Sequence, residues 1–222
     1  FAQMKIAILG YGKMGKAIEK IAMERGHEII LKINSQNPAE TADFSSIEVA
    51  IDFSTPKTAF NNIRIALQNG VPVVSGTTAW LEKQKKAEQI AVKNNTAFMY
   101  ASNFSIGVNL FFELNKKLDQ LMSNHEQYQA TIKEIHHVHK LDAPSGTAIT
   151  LAKDMQKEIN IKSERKGEYP GIHIITYKSE IDTIEIKHEA HKRKGFALGA
   201  VLAAEWIKDK KGVLNISDML KL

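Results

Sequence analysis

The sequence predicts an α/β chain in which a parallel-sheet domain is joined to a second α+β domain with a mixed or antiparallel sheet. Three observations predict it. Up to about Ala101, short β-rich runs alternate with amphipathic helices, as βαβ crossovers require. A glycine-rich turn links the first of these runs to the first helix. Beyond Ala101 a long helix is followed by β-rich runs separated by a Lys-Ser-Glu turn, which is the grammar of an antiparallel pair.

The strands expected in the first domain are Lys5–Leu9, Ile29–Ile33, Val49–Phe53, Val71–Ser75 and Ala97–Ala101. Between the first two, Met14, Ala17, Ile18, Ile21 and Ala22 recur at helical spacing, and Gly26 stands where a helix C-cap belongs. The next helix has Thr55 as N-cap and Pro56 in its first turn, carries Ala59, Phe60, Ile63 and Leu67 inward, and stops at Gly70. Later elements are a helix over Val108–Met122, a strand over Gln129–Ile135, a further helix, strands over Ile172–Tyr177 and Thr183–His188, and a closing helix over Phe196–Lys208. Ser163–Gly171, polar and containing Pro and Gly, reads as a loop. The expected division is residues 1–103 with 196–222 as one domain and 104–195 as the other.

With 222 residues and 43% apolar content the chain can bury two modest cores. There are no cysteines, which removes disulfides, thiolate nucleophiles and cysteine zinc sites, and fits a reducing cytoplasm. No apolar run reaches the roughly 18 residues of a spanning helix, and no signal peptide is evident. Phe1–Gln3 precede a Met-Lys-Ile start and are set aside as a cloning remnant. The net charge is +5, but the basic residues are interspersed with acidic ones, which favours small anions over nucleic acid or membrane.

Gly10-Tyr11-Gly12-Lys13-Met14-Gly15 leaves a strand and opens a helix, the context in which G-x-G-x-x-G has a mechanism. Small residues let the main chain turn and approach a pyrophosphate, whose charge the helix N-terminus stabilises. This predicts a Rossmann-like dinucleotide-binding domain. A carboxylate that reads the ribose 2′-hydroxyl is expected at the end of the second strand, but Asn34 and Ser35 stand there. Both, with Lys13, are candidate contacts for NADPH or NADH; equally, Asn34 could simply begin a loop. Ser54-Thr55-Pro56, Gly76-Thr77-Thr78 and Ala101-Ser102-Asn103-Phe104 leave the carboxyl ends of expected strands, where open sheets bind ligands, although capping and turn duty explain their hydroxyls as well.

The densest constellation runs from Glu134 to Ala148: Glu-Ile-His-His-Val-His-Lys-Leu-Asp-Ala-Pro-Ser-Gly-Thr-Ala. Gly146 and Thr147 fall in the first turn of a helix, so their N–H groups suit a substrate carboxylate, with His137 and Lys140 nearby. Histidine and lysine in such a loop also suit proton transfer. Metal binding through His137 and His139 is a rival reading that lacks a clear third ligand, so no metal is expected.

This stretch resembles the E-[LI]-H-H-x-x-K-x-D-A-P-S-G-T-A signature of the 4-hydroxy-tetrahydrodipicolinate reductase family, also called dihydrodipicolinate reductase. Support extends through Gly10–Gly15, Ile51–Ser54, Gly76–Thr78 and Ser102–Asn109, and later through Arg165–Gly167, Gly171–His173, His188, Arg193 and Phe196–Ala200. The resemblance implies NAD(P)H-dependent reduction of a cyclic dicarboxylated imine to tetrahydrodipicolinate, with loss of water, in the diaminopimelate route to lysine. It further implies His136 as proton donor or acceptor, Lys140 as proton donor, and His137, Gly146 and Thr147 on the substrate carboxylates. Cofactor contacts from Gly10–Gly15, Gly76–Thr78 and Ala101–Phe104, and a homotetramer built through the second domain's sheet, are implied as well. Three departures are a shortened segment between the Gly146 helix and Arg165, Lys192 where the family has Ser, and the missing ribose-reading acid. Rival readings are another NAD(P)-linked reductase or amino-acid dehydrogenase, and a non-catalytic dinucleotide sensor.

Overall fold

The computed structural model describes residues 2–192 and 194–222; Phe1 and Arg193, both named above, lie outside the described residues. The chain forms two compact units, one running to Ile106 and resuming at Lys194, the other beginning at Gly107.

The first unit contains β1 (Lys5–Leu9), α1 (Lys13–Glu24), β2 (Glu28–Ile33), β3 (Val49–Asp52), α2 (Ala59–Gln68), β4 (Val73–Ser75), α3 (Gln84–Lys93) and β5 (Ala97–Tyr100). The second contributes α4 (Ile106–Met122), β6 (Gln129–His136), α5 (Gly146–Lys153), β7 (Ile161–Arg165), β8 (Gly171–Lys178) and β9 (Thr183–Ala190). The first is completed by α6 (Lys194–Ile207), β10 (Gly212–Leu214) and α7 (Ile216–Leu220).

Six parallel strands lie in the order β10-β5-β4-β3-β1-β2. β1, β3 and β5 are apolar on both faces, as strands covered from both sides must be. Ile6, Ile8, Val49 and Ile51 pack with α1 and α6, whereas Ala7, Leu9, Ala50 and Val73 pack with α2 and α3. From β1 the chain proceeds to β2 on one side and then crosses to β3 on the other. The carboxyl ends of β1 and β3 are therefore the topological switch point, where doubly wound sheets bind ligands.

One expectation requires correction here. The second helix begins at Ala59 with Thr58 as its N-cap; Thr55 and Pro56 form the preceding turn, and the Thr55 carbonyl accepts the Ala59 N–H at 2.9 Å. Thr and Pro are equally suited to a turn and a helix start, so residue type did not separate the two. The final strand β10 and helix α7 were not anticipated; each is too short to show a period.

In the second unit four strands lie in the order β7-β6-β8-β9, with β6, β8 and β9 antiparallel and β7 parallel to β6. Phe111 of α4 and Leu151 of α5 join Ile132, Ile175 and Tyr177 in a core on one face of this sheet. Part of the segment read as a loop is β7, because Ser163, Glu164 and Arg165 pair with Glu134, Ile135 and His136. It is an edge strand held through its main chain, with little apolar alternation to announce it.

Candidate active site

At the switch point the three motif glycines divide the work. Gly10 has φ +94°, and a Cβ there would stand 2.4 Å from the Phe53 carbonyl oxygen; a Cβ on Gly15 would stand 2.4 Å from that of Gly10. Both positions serve the turn and the helix–strand approach. Gly12 is different, since a Cβ there meets nothing within 4 Å. Its bare backbone faces open space, which is what close approach of a pyrophosphate needs.

A cavity of about 670 Å³ is lined by Gly10, Tyr11, Gly12, Asn34, Ser35 and Ser54 together with Glu40, Lys57 and Asn61. A neighbouring one of about 330 Å³ is lined by Gly12, Lys13, Met14, Ser54, Gly76, Thr77 and Thr78. Residues that fit a dinucleotide thus meet at the carboxyl ends of the central strands, and this is the candidate cofactor region.

Several expected contacts are occupied within the protein. Asn34 Oδ1 accepts the N–H groups of Gln36 and Asn37 at 2.8 and 3.0 Å, so Asn34 builds its own turn while lining the larger cavity. The Ser54 and Thr77 hydroxyls both donate to the buried carboxylate of Asp52. Tyr11 donates to Glu19, which also pairs with Lys32 at 2.5 Å. Ala101, Ser102, Asn103 and Phe104 line neither cavity; Phe104 is buried and packs beside Phe53, with ring centroids 6.0 Å apart.

In the second unit, strand alternation and register assemble the histidine site. Ile132, Glu134 and His136 are the buried positions of β6. Glu134 is opposite His173 on β8 and Ser163 on β7, and His173 is opposite His188 on β9. A polar row therefore crosses the sheet beside the apolar row Ile132–Ile175–Ile186.

Glu134 is fully buried. Its Oε1 accepts the Ser145 N–H and Arg165 Nη2, each at 3.0 Å, while its Oε2 lies 2.8 Å from His136 Nδ1. Burial pushes the carboxyl upward, but hydrogen bonds from Ser145, Ser163 and Arg165 outweigh it and hold the group at about 2. Glu134 is thus a fixed negative charge. Burial lowers the His136 pKa, Lys140 and Arg165 add to this, and Glu134 opposes it. His173 is driven down to about 4 by burial and by His136.

The loop after His136 is anchored by main-chain bonds from His137 to Tyr169 and from Val138 to Gly167, at 2.9 and 3.2 Å. Arg165 also donates to the carbonyls of Lys140 and Asp142. Lys140 Nζ lies 2.7 Å from Asp142 Oδ1. Ser145 caps α5, its hydroxyl accepting the Ala148 N–H at 3.2 Å. That cap leaves the Gly146 and Thr147 amides as first-turn donors without an intrahelical acceptor. A Cβ on Gly146 meets nothing within 4 Å, so the fold does not demand glycine there and the space above the amides stays open.

The His137 and His139 rings are neighbours, with centroids 6.1 Å apart. Among the described residues, the set with metal-compatible spacing is instead Glu134, His136 and His173, whose ligand atoms lie within 4.8 Å of one another. Glu134 Oε1 is engaged by Ser145 and Arg165, and His173 Nε2 lies 3.1 Å from Ser145 Oγ, so these groups already serve a hydrogen-bonded scaffold. Glu134, Arg165 and His173 received no role from the sequence. The signal was faint: Glu134 shares the strand parity of His136, and Arg165 lies in the segment taken for a loop.

Comparison with known proteins divides the chain once, after residue 104, close to where the first unit gives way to the second. Residues 4–104 match the family model "Dihydrodipicolinate reductase, N-terminus", and residues 107–220 match "Dihydrodipicolinate reductase, C-terminus". The chain is 49% identical to a 4-hydroxy-tetrahydrodipicolinate reductase of Christiangramia forsetii, with 98% of each chain covered, and 39% identical to that of Thermosipho africanus, again with 98% of each covered. Its fold is similar to that of a dipicolinate-bound dihydrodipicolinate reductase from Paenisporosarcina sp. TG-14, with a TM-score of 0.77 and 22% identity over 99% of this chain and 100% of that one. The chain belongs to the dihydrodipicolinate reductase family.

Proposed function

We propose that the chain reduces 4-hydroxy-tetrahydrodipicolinate to tetrahydrodipicolinate, with loss of water, in the diaminopimelate route of lysine biosynthesis, and that the polar row and the α5 N-terminus do its work. The function rests on the family match across both units and on full-length relatives of that name. The observation that carries the residue roles is the Glu134 scaffold. One buried carboxylate holds Ser145 at the start of α5 and lies against His136, so carboxylate binding and proton transfer share a support.

The first-turn amides of Gly146 and Thr147 receive a substrate carboxylate, with His137 as a further donor. The other carboxylate is drawn by the positive charge of Lys140. A reduced nicotinamide, when bound, supplies the hydride. Loss of water takes a proton from the ring and returns it to the departing hydroxyl, which His136 accepts and gives, its imidazole kept on the neutral side by burial; after the hydride arrives the ring needs one further proton, which Lys140 donates. Replacing His136 with Gln or Lys140 with Ala is expected to lower kcat by about 100-fold or more while cofactor binding persists. Intact turnover in either variant contradicts the assignment.

For the cofactor, we propose that NADPH is accepted and NADH tolerated. No carboxylate stands at Asn34 to repel a 2′-phosphate, and Lys57 lines the same cavity. Glu40 lines it too, held by Asn61 at 2.6 Å, and offers a partner for a free 2′-hydroxyl. Catalytic efficiency with each cofactor, before and after Lys57→Ala, tests this. We further propose a homotetramer in the cytoplasm. The open edge strand β9 and the exposed Ile181 and Ile184 support assembly through the second unit's sheet, and sedimentation equilibrium tests it. Among the described residues, no helix is long and apolar enough to cross a membrane.

A further inference from the structure

Asp52 ends β3 beside Leu9 of β1 and Ser75 of β4, at the carboxyl end of the sheet where the two cavities open, and it is fully buried. Its Oδ1 accepts the Ser54 hydroxyl at 2.7 Å; its Oδ2 accepts the hydroxyls of Ser75 and Thr77, both at 2.8 Å. Thr77 Oγ1 in turn accepts the Ser54 N–H at 2.8 Å. Among the described residues no ion pair reaches Asp52. A neutral residue would hold two turns together at less desolvation cost than an uncompensated carboxylate, so stability alone does not account for this arrangement.

The carboxylate has a chemical consequence. A hydroxyl carries one hydrogen and two lone pairs. With its hydrogen committed to Asp52, Ser54 Oγ can offer only lone pairs to a neighbour, and it lines both cavities. Thr77 is in the same state, and its remaining capacity is partly used by Ser54. We propose that Asp52 is a positioning residue that makes Ser54 an obligate hydrogen-bond acceptor, so that this spot takes a donor group of the dinucleotide, a sugar hydroxyl or a carboxamide N–H, and rejects a phosphate oxygen. The proposal rests on the reading of this end of the sheet as the cofactor region. An amide nitrogen in place of Oδ2 would face two donating hydroxyls and in place of Oδ1 only that of Ser54, so the amide of Asp52→Asn turns its donor toward Ser54 and ends that commitment.

The test compares wild type, Asp52→Asn, Ser54→Ala and the double variant. It measures NADPH and NADH affinity by fluorescence titration, the substrate KM at saturating cofactor, and thermal stability. Asp52→Asn is expected to keep or raise Tm, to weaken both cofactors by about tenfold and to leave the substrate KM unchanged. Because Asp52 acts through Ser54, the double variant should bind no worse than the weaker single variant. Unchanged cofactor affinity in Asp52→Asn, or additive losses in the double variant, overturns the proposal. If Asp52→Asn does not fold, Ser54→Ala decides, since it removes the acceptor that Asp52 orients and that lines both cavities. A severalfold loss of affinity supports the proposal and an unchanged affinity overturns it. Failure of the wild-type protein to bind either dinucleotide would instead remove the cofactor reading itself.

Discussion

His136 Nδ1 lies 2.8 Å from Glu134 Oε2, two residues along the same strand, while the other oxygen of that carboxylate is held by the Ser145 amide and Arg165. The negative charge facing His136 is thus fixed from three elements. Removing it by Glu134→Gln should lower kcat by about 10- to 100-fold, with a smaller effect on the cofactor KM. Since Glu134 raises the His136 pKa against burial, its loss should also move the acid limb of the kcat/KM profile to lower pH. A pH profile unchanged in position contradicts the coupling.

Gly146 offers a cleaner probe of the carboxylate site than Thr147, whose amide survives most substitutions. Gly146→Val places a side chain in open space, so folding should be little affected. The substrate KM should rise by about tenfold or more and the cofactor KM should not change. Equal loss of both contradicts the placement of the carboxylate.

The glycine motif predicts an asymmetry measurable by thermal melting and cofactor titration. Gly12→Val should fold with near-normal Tm and lose cofactor affinity, because its side chain enters the cavity rather than the core. Gly15→Ala should destabilise by about 1–3 kcal/mol, because its Cβ meets the Gly10 carbonyl.

Acid stability carries three signed contributions. The His173 pKa is lowered from 6.5 to about 4, so its contribution is complete above the unfolded value and is lost as pH falls through that window. Glu134, lowered from 4.5 to about 2, is lost in the same sense at still lower pH. Asp52, raised from 3.8 to about 6, acts oppositely, its contribution being full below the unfolded value and lost as pH rises toward 6. Denaturant melts between pH 4 and 6.5 should therefore show a flatter acid loss for His173→Gln and a steeper one for Asp52→Asn than for wild type. The reverse order would contradict these assignments.

The sequence was most legible where one physical demand dominates. Buried strand positions such as Val49, Ala50 and Ile51 must be apolar, and the Gly10–Gly15 turn must be small, so both could be read directly. The histidine loop was legible as chemistry because no core explains Glu134–Ala148. What hid was whatever depends on register between distant strands. The polar row of Ser163, Glu134, His173 and His188 is drawn from four strands, and nothing in their separate sequences announces it. Asp52 was hidden for a related reason: a carboxylate at a strand end normally reads as exposed, and only the fold brings three hydroxyls onto it.

The most direct measurement is NADPH absorbance when freshly generated hydroxy-tetrahydrodipicolinate is mixed with the purified protein, wild type and His136→Gln side by side, then repeated with NADH. Rapid substrate-dependent oxidation by wild type, with a loss of about 100-fold or more in the variant, is the predicted result. Cofactor binding without substrate-dependent oxidation by the wild-type protein would contradict the account.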